Sequence, residues 1–359
     1  MTVPLEHVVL IYESRARWVT RKIDDGWSRD DAQIASYWLF AEDDVLLLSD
    51  LLRFSTPSFC IHIYEIEQID ELIDWIKGID RSKLLIWNVS DGLRQFRGSL
   101  IPALARLLKV SYFGSPIAAQ ALAQDRFKLS AVASEAGILV PRCFLARGAK
   151  IVSAPHTIFD GSRYFVKTNS FGNMVGLNAN RAVLDIRSAL IAAEEIDCRF
   201  HDESLIQEYL PGIEIRASYI AGTADDSFSL CLVDFFDKEG GVIPHYEIAP
   251  SGYIGDDYFR PIEEVDVLDH LEVERLYREV GRSVNVLKRI LGLKDYWAMD
   301  FRLDAGGIPK LIDLNTGAFP KGDAFRHHAR LRHSADFGDA LAACLKFSHA
   351  QSAEHPPEE

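Results

Sequence analysis

Residues 164–176 read Tyr-Phe-Val-Lys-Thr-Asn-Ser-Phe-Gly-Asn-Met-Val-Gly. An apolar, strand-like run ends in Lys167, and a polar loop carrying Gly172 and Gly176 follows. A loop of this composition can lay backbone N–H groups along a polyphosphate while the lysine meets its charge. The lysine precedes the glycines, so this is not a Walker A loop, and without GxGxxG it is not a dinucleotide fingerprint. Alone, the stretch reads equally well as a hairpin whose glycines serve its turn.

A second stretch decides between these readings. Asp300 lies in Trp-Ala-Met-Asp-Phe-Arg-Leu, and Asp313 and Asn315 lie in Leu-Ile-Asp-Leu-Asn-Thr-Gly. The runs Tyr296–Leu303 and Pro309–Leu314 read as a strand pair across the turn-rich Asp304-Ala-Gly-Gly. Asp313 and Asn315 differ by two positions and share a strand face, which Asp300 joins if the strands pair. Two carboxylates and an amide oxygen are hard ligands suited to Mg²⁺, which commonly bridges phosphate oxygens. Both acids sit inside apolar runs, where an unpaired charge is costly, so a merely solvated hairpin fits less well.

The rest of the chain sets bounds. It has 359 residues, 48% of them hydrophobic and 26% charged, with 39 Lys plus Arg against 53 Asp plus Glu for a net charge of −14. This is a globular composition. The acidity argues against a nucleic-acid partner, which requires a basic face. Cys60, Cys143, Cys198, Cys231 and Cys344 are odd in number and widely spaced. No CxxC or zinc spacing occurs, and a reduced compartment is expected. There is no signal-like start and no apolar run of about 20 residues, so the expectation is a cytoplasmic protein with no membrane association.

Strand-like runs at 7–12, 45–52, 58–64 and 84–88, with helical spacing at 66–79 and 100–108 and a short strand at 111–114, predict a parallel sheet with helices on its faces. A helix is expected over 118–137, stopped by Gly137 and Pro141. Strands are expected at 163–168, 204–210, 213–221, 228–236 and 242–248, and helices at 182–196, 265–291 and 337–347. The polar end, 351–359, reads as a frayed tail.

Taken in order, these segments resemble the ATP-grasp superfamily, and within it the D-alanine–D-alanine ligase type, over roughly residues 80–345. The resemblance rests on Ile86–Gly92 through Tyr112-Phe-Gly-Ser115, Ala121-Leu-Ala-Gln-Asp-Arg126 before Gly137-Ile-Leu-Val-Pro141, and Phe165-Val-Lys167 with Gly172 and Val175-Gly176. It continues in Leu205-Ile-Gln-Glu-Tyr-Leu-Pro-Gly-Ile-Glu214, Glu247-Ile-Ala-Pro-Ser-Gly252, and the Asp300, Asp313, Asn315 set. It implies an α/β chain with an ATP-grasp fold preceded by a parallel α/β domain. The implied units are 1–118, 119–212, 213–348 and a flexible tail at 349–359.

The resemblance also assigns residues. Lys167 and Arg126, which stands where the family usually has lysine, would contact ATP phosphate, with Gly172 and Asn173 in the loop. Gln207 would lie near the adenine amino group, and Tyr209 and Leu210 would offer backbone groups to the adenine edge. Glu214 would accept from the ribose hydroxyls, and Glu208 and Ile312 belong to the same nucleotide-binding set. Asp300, Asp313 and Asn315 would hold one or two Mg²⁺, or Mn²⁺, with Asp313 replacing the usual Glu.

The amino-acid half departs from the family. Asn173 and Met174 replace two serines, and Ala298 replaces an arginine that steadies the tetrahedral intermediate. Asp256-Asp257-Tyr258-Phe259-Arg260 replaces a Lys-Tyr loop, and Ile11-Tyr12-Glu13-Ser14 replaces a glycine-serine motif. Arg302, two residues beyond Asp300, and Arg216 are candidates for the lost arginine; Glu13, Arg260 and Lys321 are candidate substrate contacts. His327 and His328, in a basic segment, could assist amine deprotonation, though a solvated helix face accounts for them more simply. Cys143 reads as a structural thiol.

The implied reaction joins a small-molecule carboxylate to an amine through an acylphosphate, releasing ADP and phosphate. The product would be a dipeptide or modified amino acid for a specialised metabolite, or the ring of an intramolecular version. The alternatives are a nucleotide-binding regulatory or scaffold protein and a phosphotransferase. A homodimer is compatible with either.

Overall fold

The computed structural model describes the chain except residues 1–2, 37–38, 40–41, 90–99, 155–162, 173–174, 176–184, 224–225, 234–257, 266–269, 317–322 and 355–359. The expected strand over 242–248 therefore lies outside the described residues.

The first unit is built on β1 (His7–Tyr12), α1 (Arg15–Asp24), α2 (Arg29–Ser36), α3 (Glu42–Ser55), β2 (Cys60–Glu65), α4 (Ile69–Lys77), β3 (Leu84–Asn88), α5 (Leu100–Leu107) and β4 (Ser111–Phe113). The sheet is parallel, in the order β2-β1-β3-β4. Val9, Ile11 and Ile86 pack under α4 and α5 on one face, while Val8, Leu10 and Trp87 meet α3 on the other. Burial on both faces explains why β3, Leu-Leu-Ile-Trp-Asn, is buried throughout.

The run 45–52 is helical, not the expected strand. Its three successive leucines hide a helical period, because Val45, Leu48, Ser49 and Leu52 are buried while Leu46 and Leu47 face out. Glu42, Asp43 and Asp44 fill its first turn, where the helix dipole favours acids. The sequence pattern names no element over α1 and α2; Ser14 caps α1 by accepting from the Arg17 N–H.

The single helix expected over 118–137 is two, α6 (Ile117–Ala123) and α7 (Arg126–Glu135). Asp125 separates them, extended and capping α7 through the Lys128 N–H. A second sheet follows from β5 (Cys143–Arg147), β6 (Lys150–Ser153), β7 (Tyr164–Thr168), α8 (Ile186–Phe200) and β8 (Ser204–Glu208). It is antiparallel, ordered β6-β5-β8-β7, and α8 buries Ala189, Ala193 and Ile196 against it.

The third sheet comprises β9 (Glu214–Ile220), β10 (Ser229–Val233), β11 (Phe259–Pro261), β12 (Tyr296–Leu303) and β13 (Pro309–Asn315), interrupted by α9 (His270–Leu291). It is antiparallel, ordered β11-β10-β9-β12-β13. Ile215, Ala217, Tyr219, Trp297, Met299 and Phe301 form its apolar face with Val280, Val284 and Leu287 of α9. The alternate residues form the opposite, polar face. Gly212 enters this sheet beside Leu303, whose carbonyl oxygen a Cβ there would approach to 2.6 Å.

The chain closes with α10 (Asp323–His328), a π-helical turn at Ala329–His333, and α11 (Phe337–Glu354). The tail expected from 349 is thus helical through Glu354, with Ser348 and His349 buried. The first and third sheets are tied together: Trp87 Nε1 donates to Tyr296 Oη at 2.9 Å, and the Gly114 N–H donates to Asp295 Oδ2 at 2.7 Å. Among the described residues, no helix is long and apolar enough to cross a membrane.

Candidate functional site

The polar face of the third sheet carries registered rows of charge. Asp300 pairs with Arg216 on β9 and with Asp313 on β13. Arg302 pairs with Glu214 on one side and Lys310 on the other. A β-bulge after Asp300 makes this possible. Strict alternation along β13 would put Lys310, Ile312 and Leu314 on one face; the extra residue instead gathers Lys310, Asp313 and Asn315.

Each carboxylate at the centre already has a cation. Arg216 grips Asp300 with Nε at 2.6 Å from Oδ1 and Nη2 at 2.9 Å from Oδ2. Arg126, at the start of α7, reaches Asp313 Oδ2 from Nε at 3.0 Å and from Nη2 at 2.6 Å. Its Nη1 also donates to the Phe171 carbonyl at 2.7 Å, at the glycine loop. Lys167, at the end of β7, donates to the Ile312 carbonyl at 3.0 Å. The second and third sheets therefore face each other across this cluster, with Lys167 on the Ile312 carbonyl, Arg126 on Asp313 and Arg216 on Asp300.

Burial sets the electrostatics. It pulls the Lys167 ammonium down to about 8, with Asp313 partly offsetting it. It pushes Glu214 up to about 7, helped by Asp300 and opposed by Arg302. Burial would also lower Arg216, but the Asp300 charge outweighs it and holds the guanidinium protonated. Buried ions without partners are far more costly than paired ones, which accounts for the arginine on each carboxylate.

The nucleotide-side expectations divide. Gln207 and Glu208 are buried at the end of β8, and Glu208 is held by Lys310 at 2.5 Å and Arg142 at 2.8 Å. The Tyr209 N–H donates to the Arg163 carbonyl at 2.9 Å, so it is committed to the sheet edge and not open to an adenine. The Leu210 carbonyl accepts from Arg302 Nε at 2.7 Å. Arg302 further reaches Glu214 at 3.3 Å and lies over the Tyr209 ring. It therefore belongs to the segment linking the second and third sheets, and Arg216 stands beside Asp300.

Other expected contacts do not gather here. Arg260 is in register with Leu232, which shares the apolar face with Ile215, so register places it on the face opposite Asp300. Glu13 is buried at the end of β1 in an ion pair with Arg21. Asn173, Met174, Lys321, the 247–252 segment, Asp256 and Asp257 lie outside the described residues. His328 is a core residue: its Nε2 accepts from the Ile220 N–H at 3.1 Å and its Nδ1 lies 3.2 Å from Ser229 Oγ. His327 Nε2 lies 3.0 Å from the Phe259 carbonyl. Burial pushes the Cys143 thiol up to about 11, in keeping with a structural role.

Sequence reasoning missed Lys310, Arg142 and the Phe259 ring, 4.9 Å from the Arg216 guanidinium. The period-2 alternation of β12 and β13 could have supplied Lys310 only if the bulge were known. Among the described residues, no group of three or more His, Cys, Asp or Glu side chains is placed to hold a metal. Asp300 and Asp313 are nevertheless opposite in register with Asn315 two residues on, and their oxygens are already cation-bound. That hard-oxygen donor set fits Mg²⁺, with the arginines as the groups it would relieve.

The D-alanine–D-alanine ligase of Bacillus anthracis complexed with ATP superposes with a TM-score of 0.64 at 15% identity, covering 97% of this chain and 99% of that one. The D-alanyl-alanine synthetase A of Vibrio cholerae gives 0.61 at 15%, covering 98% and 100%. In sequence, the D-alanine–D-alanine ligase of Aromatoleum aromaticum is 26% identical over 312 residues, covering 85% of this chain and 90% of that protein. The Coprothermobacter proteolyticus ligase is 28% identical over 264 residues, covering 68% and 76%. The chain has the ATP-grasp fold of these ligases. No family model matches it. In this ATP-grasp chain the cluster around Asp300 and Asp313 lies where the second and third sheets meet, with the glycine loop beside it.

Proposed function

We propose that the chain is an ADP-forming carboxylate–amine ligase that uses ATP and Mg²⁺ on amino-acid-like substrates, with residues 1–118, 119–212 and 213–348 as its working units. The observation that carries this is the convergence of Lys167 and Arg126 from one side with Asp300, Asp313 and Arg216 from the other. The sequence relatives support the reaction class.

The chemistry asks mainly for positioning and charge neutralisation. Lys167 and Arg126 would meet the triphosphate, and Glu214 the ribose. Asp300, Asp313 and Asn315 would hold Mg²⁺, which would supply charge neutralisation for phosphoryl transfer. A substrate carboxylate oxygen attacks the γ-phosphorus and ADP leaves. The amine nitrogen then attacks the acyl carbon, and the carbonyl becomes an oxyanion before phosphate departs and the nitrogen loses its proton. Arg216 shares the face and row of Asp300, which supports it as the cation that would receive that oxyanion where Ala298 offers none.

Two outcomes follow. Arg216→Ala should lower kcat by about 100-fold or more. Arg302→Ala should chiefly raise the KM for ATP, since it holds Glu214 and the Leu210 carbonyl; equal effects on kcat in steady-state kinetics would reject the division. Lys167 supplies a pH signature. In the unliganded protein its ammonium loses its proton near 8, against 10.5 ordinarily. Phosphate beside it would restore the charge, so nucleotide binding at pH 8.5 should take up protons. Titration calorimetry in buffers of different ionisation enthalpy reads this, and Lys167→Met should abolish the uptake. Folding linkage has a matching sign: between 8 and 10.5 the unfolded chain binds more protons at this group, so its contribution to stability rises with pH.

The function is tested by ADP and phosphate release with ATP, Mg²⁺ and pooled amino acids. Equal release of both, stimulated by the pool, is expected. ADP without phosphate would mean a phosphotransferase, and ATP binding with no stimulated release would mean a regulatory or scaffold protein.

A further inference from the structure

The glycine loop is held from outside its own sheet. Phe171 sits between Lys167 and Gly172 and is 3% exposed. Its ring lies edge-on to Trp27, at 6.2 Å between centroids, and 6.4 Å from Phe200. Trp27 follows α1 and also packs on Trp18 at 6.0 Å, Phe200 at 6.3 Å and His201 at 5.3 Å. Val175, after the glycine, joins the same buried cluster with Leu39. An ion pair between Asp31 of α2 and Arg199 of α8, at 2.7 Å, lies at the same junction.

The backbone of the loop is fixed by the same residue. The Phe171 carbonyl accepts from Arg126 Nη1 at 2.7 Å, and the Thr168 hydroxyl lies 3.1 Å from it and 3.2 Å from the Val175 carbonyl. The ring of Phe171 thus answers to α1 and α2, while its carbonyl answers to the arginine on Asp313. At the other end, α1 begins directly after Glu13 and Ser14, at the carboxyl end of β1.

We propose that Trp27 and Phe171 form a positioning clasp through which the first unit sets the backbone from Thr168 to Gly172 for phosphate. The clasp rests on the reading of the loop as a phosphate site.

The test uses the full chain with ADP and Mg²⁺, read by calorimetry and by intrinsic tryptophan emission. Phe171→Ala and Trp27→Ala should each weaken ADP binding by about 10-fold or more. Phe171→Leu, which keeps most of the apolar volume, covers the case in which the alanine variants fail to fold, and should still weaken binding by about 3-fold or more. Trp27→Phe keeps an aromatic ring and should bind within about 3-fold of wild type, yet lose most of the ADP-induced change in emission. Wild type and variants binding ADP equally, or the emission change surviving in Trp27→Phe, would overturn the clasp and leave the ligase reading standing. No ADP binding by wild type would overturn that reading and the clasp with it.

Discussion

Asp313→Asn is expected to lower Mg²⁺-dependent turnover by about 1,000-fold or more while the protein remains folded. Loss of a metal-bound charge at a phosphoryl-transfer site removes several kcal/mol of transition-state stabilisation, which is a factor of this order. The substitution keeps the shape and an oxygen, so the strand register with Asp300 survives. It also leaves Arg126 without its carboxylate. Breaking a buried pair by removing one partner costs about 3–5 kcal/mol in general, but Arg126 retains the Phe171 carbonyl. A drop in melting temperature of a few degrees is therefore expected beside a near-complete loss of turnover. Thermal denaturation and steady-state ADP release on the same sample separate the two. Normal turnover would remove Asp313 from the metal set.

Lys167→Met should lower kcat/KM for ATP by about 100- to 1,000-fold, the usual loss when one well-placed donor to a developing charge is removed. Its effect on stability has the opposite sign. Lys167 is buried, and burial holds its ammonium well below the ordinary range, so the folded state is penalised for carrying that charge at neutral pH. Methionine fills similar space without it. The melting temperature should stay level or rise while ATP use collapses, and differential scanning calorimetry reads the sign directly. Unchanged kinetics would exclude Lys167 from the phosphate site. A collapse in both quantities would make its role structural, through the Ile312 carbonyl.

Much of this site was legible because strands have a period of two. Asp313 and Asn315 share a face by spacing alone, and Asp300 joins them once β12 and β13 pair. Lys167 was legible near the end of an apolar strand before a glycine loop. The partners of these residues were not. Arg126 and Asp313 are 187 residues apart, and Arg216 and Asp300 are 84 apart; only the meeting of sheets brings them together. The bulge that admits Lys310 leaves no mark in composition. The face that Arg260 takes depends on its register with Leu232, which the sequence does not show. In the first unit, the leucine run of α3 concealed its helical period, whereas β3, buried on both sides, announced itself.

Ala298 is a small buried side chain, and Arg216 stands on the neighbouring strand in register with Asp300. The charge of −14 is thus mostly remote from the cluster, where Lys167, Arg126, Arg216, Arg302 and Lys310 answer Asp300, Asp313, Glu208 and Glu214.

The central claim is that a carboxylate is activated by phosphoryl transfer and captured by an amine. The most direct measurement incubates the protein with ATP, Mg²⁺ and an amino-acid pool whose carboxylates carry ¹⁸O, and analyses product and phosphate by mass spectrometry. The account predicts a product equal in mass to two labelled pool members less one H₂¹⁸O, or one member less H₂¹⁸O for ring closure, with one ¹⁸O in each phosphate released. Phosphate released without ¹⁸O, or a new product formed with none of the label transferred, would contradict it.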